Sequence, residues 1–235
     1  MIPWVHLDSA TVPGGGGELK LMRRGNEFSI MAGATVLMNS RMSSSETALA
    51  ELACDRLRGR RNCRILIGGY GMGFTLRAAL AGFDANVRIL VAELIPVVME
   101  WARGPMAELT ADCLSDPRVS VHEADVGEVI ASARASFDAI LLDVDNGPDG
   151  LSRSANNKLY TLRGLEAARK ALRPKGLLAV WSAAPDREFA KRLGRAGFAV
   201  DETKARANKG RGVRHVIWLA TNTVGAAGQA PFKKR

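Results

Sequence analysis

The sequence predicts an α/β fold with a mostly parallel sheet, closed by an antiparallel hairpin and preceded by a small N-terminal β appendage. Three observations carry this. Arg64–Gly68 is an apolar run that opens into Gly-Gly-Tyr-Gly-Met-Gly and then Phe74–Leu80, the order of a buried strand, a glycine turn and a helix. Apolar runs then alternate with helical segments, and four successive strand candidates end in glycine or in an acid: Gly68, Glu93, Asp125 and Asp143. Finally, Phe198–Lys204 and Val213–Ala220 follow one another without a helix between them, as in a hairpin.

The elements follow in order. Met1–Val12 holds a short strand or an extended arm, and Gly14–Gly17 breaks the chain. Leu19–Arg24 and Glu27–Ala32, split by Gly25-Asn26, read as a hairpin, with Thr35–Met38 as a further strand. Ser43 or Ser44 N-caps a helix whose Leu49, Leu52, Ala53 and Leu57 recur at helical spacing. After the glycine strand and its helix, Val87–Ala92 is a strand. Pro96–Ala111 is helical, interrupted at Gly104-Pro105. Asp116-Pro117 turns into the strand Val119–Ala124; Val126–Ala133 is a short helix and Phe137–Leu142 a strand. Asn146–Lys158 is polar and rich in turn residues, the composition of a lid. Tyr160–Leu172 is a helix stopped by Pro174 and Gly176, Leu177–Trp181 a strand, and Asp186–Ala196 a helix ended by Gly197. These boundaries predict an appendage over residues 1–42, a ligand-binding domain over 43–221 and a flexible basic tail over 222–235.

Bulk properties narrow the function. At 235 residues and 47% hydrophobic, the chain suits a domain with a sizeable core. The net charge of +9 is dispersed over Arg56–Arg64, Arg187–Arg195 and Lys204–Arg214 without interleaved aromatics, which argues against nucleic acid as partner. No apolar run reaches the length of a membrane span, and the N-terminus lacks the order of a signal peptide. Cys54, Cys63 and Cys113 lack metal-ligand spacing, so no metal is expected, and odd unpaired thiols point to a cytoplasmic protein. His6, His122 and His215 read as structural, and Trp101 and Trp181 as core.

The strand ends carry the chemistry. In an open parallel sheet the ligand crevice lies outside the carboxyl ends of the strands. Glu93 falls about twenty residues past the glycine turn, where an ionised carboxylate can accept from paired ribose hydroxyls. Asp125, Asp143 and Asp145 end the next two strands. Asp143 can act as a base or as an electrostatic anchor. Tyr70 sits in the turn, where it can cover a ligand or simply pack. Glu46 and Tyr160 are candidate pocket walls.

These residues resemble the Rossmann-like S-adenosylmethionine-dependent methyltransferases. The front hairpin and Asp116-Pro117-Arg118-Val119 resemble, more narrowly, the spermidine synthase-like branch of that superfamily, over Glu27–Ala220. The resemblance implies a Rossmann-like methyltransferase fold. It implies that Gly68, Gly69, Tyr70, Gly71 and Gly73 shape the donor pocket, and that Glu93, with Leu94 beside it, binds ribose. By the same resemblance Asp125 takes the adenine amino group, Val126 packs beside the ring, and Asp143 sits nearest the sulfonium.

The departures set the functional expectation. The branch shows G-G-G-D-G-G, and here Gly71 stands in the place of an acid that holds the cationic aminopropyl group. The branch's D-x-x-D-P is Asp143-Val144-Asp145-Asn146-Gly147-Pro148, so Asn146 replaces the second acid. Ser44-Ser45-Glu46-Thr47 stands where a Tyr-His pair is usual. The leading expectation is therefore a transferase that uses S-adenosylmethionine to methylate a small-molecule nucleophile, with Asp143 and Asp145 catalytic and Glu46, Asn146 and Tyr160 at the acceptor. The alternatives are aminopropyl transfer from decarboxylated S-adenosylmethionine to an amine, and a non-catalytic nucleoside-binding protein. The front sheet offers an edge for a homodimer.

Overall fold

The computed structural model describes residues 2–12, 17–41, 43–144, 158–208 and 211–223, with backbone alone for 206–208 and 211–214. Four strands form an antiparallel front sheet in the order β1-β2-β3-β4: β1 (Val5–Thr11), β2 (Glu18–Arg24), β3 (Glu27–Ala32) and β4 (Thr35–Asn39). The alternation of β2 buries Leu19 and Leu21, while β1 leaves Val5 and Leu7 exposed. A side-chain bond pins β1 to the main body: Trp101 Nε1 donates to Asp8 Oδ2 at 2.7 Å.

The second sheet has seven strands in the order β10-β11-β9-β8-β5-β6-β7. Its parallel part comprises β5 (Arg64–Gly68), β6 (Arg88–Glu93), β7 (Val119–Glu123), β8 (Phe137–Leu142) and β9 (Leu172–Ser182). The final hairpin, β10 (Phe198–Asn208) and β11 (Arg211–Asn222), joins antiparallel, with β11 between β10 and β9. The central strands are buried on both faces, as near-continuous apolar runs such as Phe137–Leu142 require.

Helices cover both faces of this sheet. Helices α1 (Ser44–Arg56), α2 (Phe74–Gly82) and α3 (Pro96–Arg103) pack with the front sheet on one side, through Leu49, Ala53, Leu76, Met99 and Trp101. After the short α4 (Ala107–Thr110), helices α5 (Val126–Ser132), α6 (Leu162–Ala171) and α7 (Arg187–Arg195) cover the other side, around Ile130, Leu165 and Phe189. Ser43 stands at the N-cap of α1, but its side chain makes no capping bond. Asp125, Thr161 and Asp186 do cap α5, α6 and α7 through their side chains.

One predicted boundary is wrong. Pro174 and Gly176 do not separate a helix from a later strand, because β9 begins at Leu172 and runs through them. The pairing passes from Phe137↔Leu172 to Ala139↔Leu177, so the extra residues form a bulge in which the missing proline N–H breaks no ladder bond. At this end of β8, buried Asp138 accepts from Arg60 Nη1 at 2.9 Å, Arg173 Nη1 at 2.7 Å and the Arg64 amide at 2.9 Å. That cluster ties β5, β8 and the bulge of β9 together at the edge remote from the strand carboxyl ends. No helix among the described residues is long and apolar enough to cross a membrane.

Candidate active site

The carboxyl ends of β5, β6 and β8 open onto one cavity. Gly69, Gly71, Glu93, Leu94, Asp125, Val126 and Asp143 all line it. Sequence-distant acids meet here because the parallel register places Gly68 beside Ala92 and beside Leu142, so each strand delivers its next residues to the same rim. The front sheet supplies the facing wall, with Leu19, Ile30, Leu37 and Met38.

The glycine turn is shaped by close approaches. Gly69 has φ +83, and a Cβ on it would lie 2.7 Å from the Asp143 carbonyl oxygen, so both conformation and space demand glycine. At Gly68 the reason is packing, since a Cβ would meet Val126 Cγ2 at 2.9 Å. Gly73 is the N-cap of α2, beneath the Tyr70 ring. Tyr70 itself is buried, its hydroxyl 3.6 Å from Cys113 Sγ, and burial pushes the phenol's pKa up.

Glu93 is 6% exposed and fixed by backbone. Its Oε2 accepts from the Tyr70 amide at 2.8 Å and its Oε1 from the Ile95 amide at 2.9 Å. Burial raises its pKa, and the backbone donors act against that rise. The carboxylate also borders the cavity, where it can accept from a ligand hydroxyl. Asp125 divides its work: Oδ1 caps α5 by accepting from the Gly127 amide at 2.7 Å, while the residue still lines the cavity. Two acids, one clamped and one capping, thus present preset acceptors at the spacing of two strand ends.

A second, smaller cavity adjoins the first, lined by Met38, Asn39, Glu46, Tyr70, Gly71, Met72, Phe74 and Asp143. Here the N-terminal turn of α1 brings Glu46 to the end of β8. Asp143 Oδ2 accepts from Thr75 Oγ1 at 2.7 Å, and that hydroxyl lies 3.3 Å from the Glu46 carbonyl oxygen. Glu46 Oε2 accepts from Ser45 Oγ at 2.8 Å. Both carboxyl groups titrate above the ordinary range, each chiefly because burial disfavours its charge; the Asp143 charge raises Glu46 further. A pair of half-buried acids that resist ionisation is a receptor for a cation, whose arrival offsets the cost of desolvating them.

Not every predicted residue joins the site. Tyr160 lines neither cavity: it is buried in the opposite core layer, edge-on to Phe189 at 5.6 Å, and its hydroxyl donates at 3.4 Å to the carbonyl of Val144, a residue of the first cavity's wall. Asp145, Asn146 and the lid segment as far as residue 157 lie outside the described residues, as does the tail from residue 224. Thr75 and Met38 escaped the sequence reading. Thr75 carries no pattern beyond a polar position in the first turn of α2, and Met38 reads as one apolar residue of a strand.

Known proteins fit this architecture. A family model described as spermine/spermidine synthase domain matches residues 47–188. A polyamine aminopropyltransferase 1 of Streptomyces coelicolor is 32% identical over 146 residues, 59% of this chain and 27% of that protein. A polyamine aminopropyltransferase of Mycobacterium tuberculosis is 31% identical over 131 residues, 54% of this chain and 24% of that protein. The chain therefore spans about a quarter of the length of these curated relatives. In structure, the crystallised spermidine synthase of Thermotoga maritima superposes with a TM-score of 0.74 at 16% identity, covering 94% of this chain and 74% of that one, which bears out the Rossmann-like methyltransferase fold.

These findings correct the expectation of methyl transfer. The relatives are named for aminopropyl transfer, not methylation. The geometry supplies the physical reason. The turn carries no acid at Gly71, but Met38 fills the volume that a side chain there would enter. The described residues lining the two cavities include Glu46, Glu93, Asp125 and Asp143 and no lysine, arginine or histidine. A donor that keeps its carboxylate would meet acids without a side-chain counter-charge.

Proposed function

Since the chain belongs to the spermine/spermidine synthase domain family, we propose that it transfers an aminopropyl group from decarboxylated S-adenosylmethionine to a small amine. The observation that carries this reading is the half-buried Glu46–Asp143 pair beside a cavity whose described walls hold acids and no basic side chain. Both the donor's terminal ammonium and an amine acceptor are cations, and this pair suits them.

Under this reading Glu93 would hold the ribose hydroxyls and Asp125 the adenine amino group, with Val126 beside the ring. Asp143 would stand at the reacting centre. The attacking nitrogen of the acceptor first gives a proton to the Asp143 carboxylate, and the lone pair so freed forms a bond to the aminopropyl carbon attached to sulfur while the carbon–sulfur bond breaks. The electron pair of that bond returns to sulfur, leaving the neutral thioether methylthioadenosine and a secondary ammonium on the product. A carboxyl group with a raised pKa is the better proton acceptor at neutral pH. Thr75, donating to Asp143 Oδ2, orients the carboxylate and leaves Oδ1 for the amine. The electrostatics also favour the step, because the cationic charge shifts from sulfur toward the nitrogen facing the acids.

The test is direct. Purified protein is incubated with decarboxylated S-adenosylmethionine and a panel of diamines, and methylthioadenosine is quantified by chromatography. Amine-dependent product from the decarboxylated donor, and none from S-adenosylmethionine, supports the reading. Methylated product from S-adenosylmethionine, or no turnover alongside tight nucleoside binding, defeats it.

A further inference from the structure

The turn position that carries no acid is not empty space. Gly71 has φ +57, and a Cβ there would lie 2.8 Å from Met38 Sδ and 2.9 Å from Met38 Cε. Met38 comes from β4 of the front sheet, so a residue remote from the glycine turn occupies the volume a turn side chain would enter. Met38, Gly71 and Asp143 are the residues common to the two cavities, and Met38 thus forms the partition between the nucleoside side and the compartment holding Glu46. Its thioether is unbranched and has three rotatable bonds, so it can swing without moving backbone.

We propose that Met38 determines which donor tail the site accepts. It fills the place of a turn side chain and passes recognition of the tail's terminal ammonium from the turn to Glu46, across the partition that its own side chain opens and closes. The assignment rests on the aminopropyl-transfer reading above and makes two residues from the front of the chain, β4 and the first turn of α1, the selectors of the donor. Glu46 is suited to this because Ser45 Oγ orients its Oε2 and because Asp143 lines the same compartment, so an ammonium placed there meets two acids. An apolar thioether wall beside them disfavours a carboxylate, which would find no cationic side chain among the described residues lining that side.

Calorimetric titration distinguishes the assignment from the reading beneath it. The ligands are decarboxylated S-adenosylmethionine, S-adenosylmethionine and methylthioadenosine, which lacks the tail. The proteins are wild type, Glu46→Gln, Gly71→Asp, Met38→Ala and the Met38→Ala/Gly71→Asp pair. Glu46→Gln is expected to weaken the decarboxylated donor about tenfold or more while leaving methylthioadenosine within about twofold, the loss expected for one hydrogen bond to a charged group. Gly71→Asp alone is expected to weaken all three ligands, because the new side chain collides with Met38. Adding Met38→Ala should restore the decarboxylated donor by about tenfold relative to Gly71→Asp, the signature of two coupled sites.

Methylthioadenosine binding and circular dichroism show that each variant is folded, and Met38→Leu gives a second, volume-conserving variant should Met38→Ala not fold. If wild type binds methylthioadenosine but does not prefer the decarboxylated donor over S-adenosylmethionine, the aminopropyl reading fails and takes this assignment with it. If the preference is present but Glu46→Gln lowers both ligands equally, or Met38→Ala does not rescue Gly71→Asp, the assignment alone is overturned.

Discussion

Replacing Asp138 by Asn removes one charge from a cluster with measurable geometry. The carboxylate is 6% exposed and accepts three bonds, from Arg60 at 2.9 Å, Arg173 at 2.7 Å and the Arg64 amide at 2.9 Å. Asparagine keeps one carbonyl acceptor and presents an NH2 to donors. Hydrogen bonds to charged groups contribute about 1.5–3 kcal/mol each, and removing one partner of a buried ion pair costs about 3–5 kcal/mol. Arg60 and Arg173 have side chains 29% and 36% exposed, so water recovers part of what each loses. A net loss of about 3 kcal/mol is expected. At about 2–4 °C per kcal/mol for a chain of this size, the unfolding midpoint falls by about 6–12 °C. Calorimetric unfolding at neutral pH, with urea denaturation as a second probe, measures it. Asp138 lies near the start of β8 and Asp143 just past its end, five residues on and about 16 Å away at about 3.3 Å per residue, so the affinity for methylthioadenosine below the transition is expected to stay unchanged. A loss under about 0.5 kcal/mol would refute the argument, as it would equal an ordinary surface substitution.

Three further outcomes follow from the opposite end of β8. Asp143→Asn is expected to raise the unfolding midpoint of the ligand-free protein, since it removes a half-buried charge that faces Glu46, and to lower turnover by about 100-fold or more, the contribution of a positioned proton acceptor; thermal unfolding and methylthioadenosine release measure the two effects. Gly69→Ala forces a Cβ to 2.7 Å from the Asp143 carbonyl at φ +83 and is expected to cost about 2 kcal/mol in stability from the backbone conformation alone, with turnover falling through displacement of Asp143. The pH dependence of stability has a definite sign. Glu46 and Asp143 have pKa values raised in the folded state, so between the unfolded values and the raised folded ones the native protein binds more protons. The pair therefore favours folding at acid pH and weakens it as pH rises through that window, and the Glu46→Gln/Asp143→Asn double variant should flatten the corresponding slope of midpoint against pH.

The glycine turn, Glu93, Asp125 and Asp143 were legible in the sequence because each sits at the end of an apolar run, and a parallel sheet converts that position into a place on one rim. The pairing of Glu46 with Asp143 was not. It joins the first turn of α1 to the end of β8 across a separation of 97 positions, and no local pattern records the crossing. Met38 is hidden for the same reason. Gly71 was visibly without an acid, but only the packing of β4 shows Met38 in its place. The extent of β9 was hidden because Pro174-Lys175-Gly176 reads locally as a stop, whereas Lys175, at φ +59, and its neighbours are absorbed as a bulge against β8. Tyr160 has the residue type of a pocket wall, but the chain carries it into the layer around Phe189 and Trp218.

The front sheet lends Leu19, Ile30, Leu37 and Met38 to a cavity whose other walls come from the parallel domain. The two parts can therefore diverge at different speeds. The parallel domain is constrained at many points, by glycines without room for a Cβ and by an acid clamped between two amides. The front sheet meets the cavity through apolar side chains that tolerate exchange among residues of similar volume. A lineage could thus inherit its nucleoside grip intact and acquire a new appetite by redrawing four positions on an antiparallel sheet. A grafted front sheet from a relative would be the corresponding engineering step, carrying selectivity as a detachable cassette.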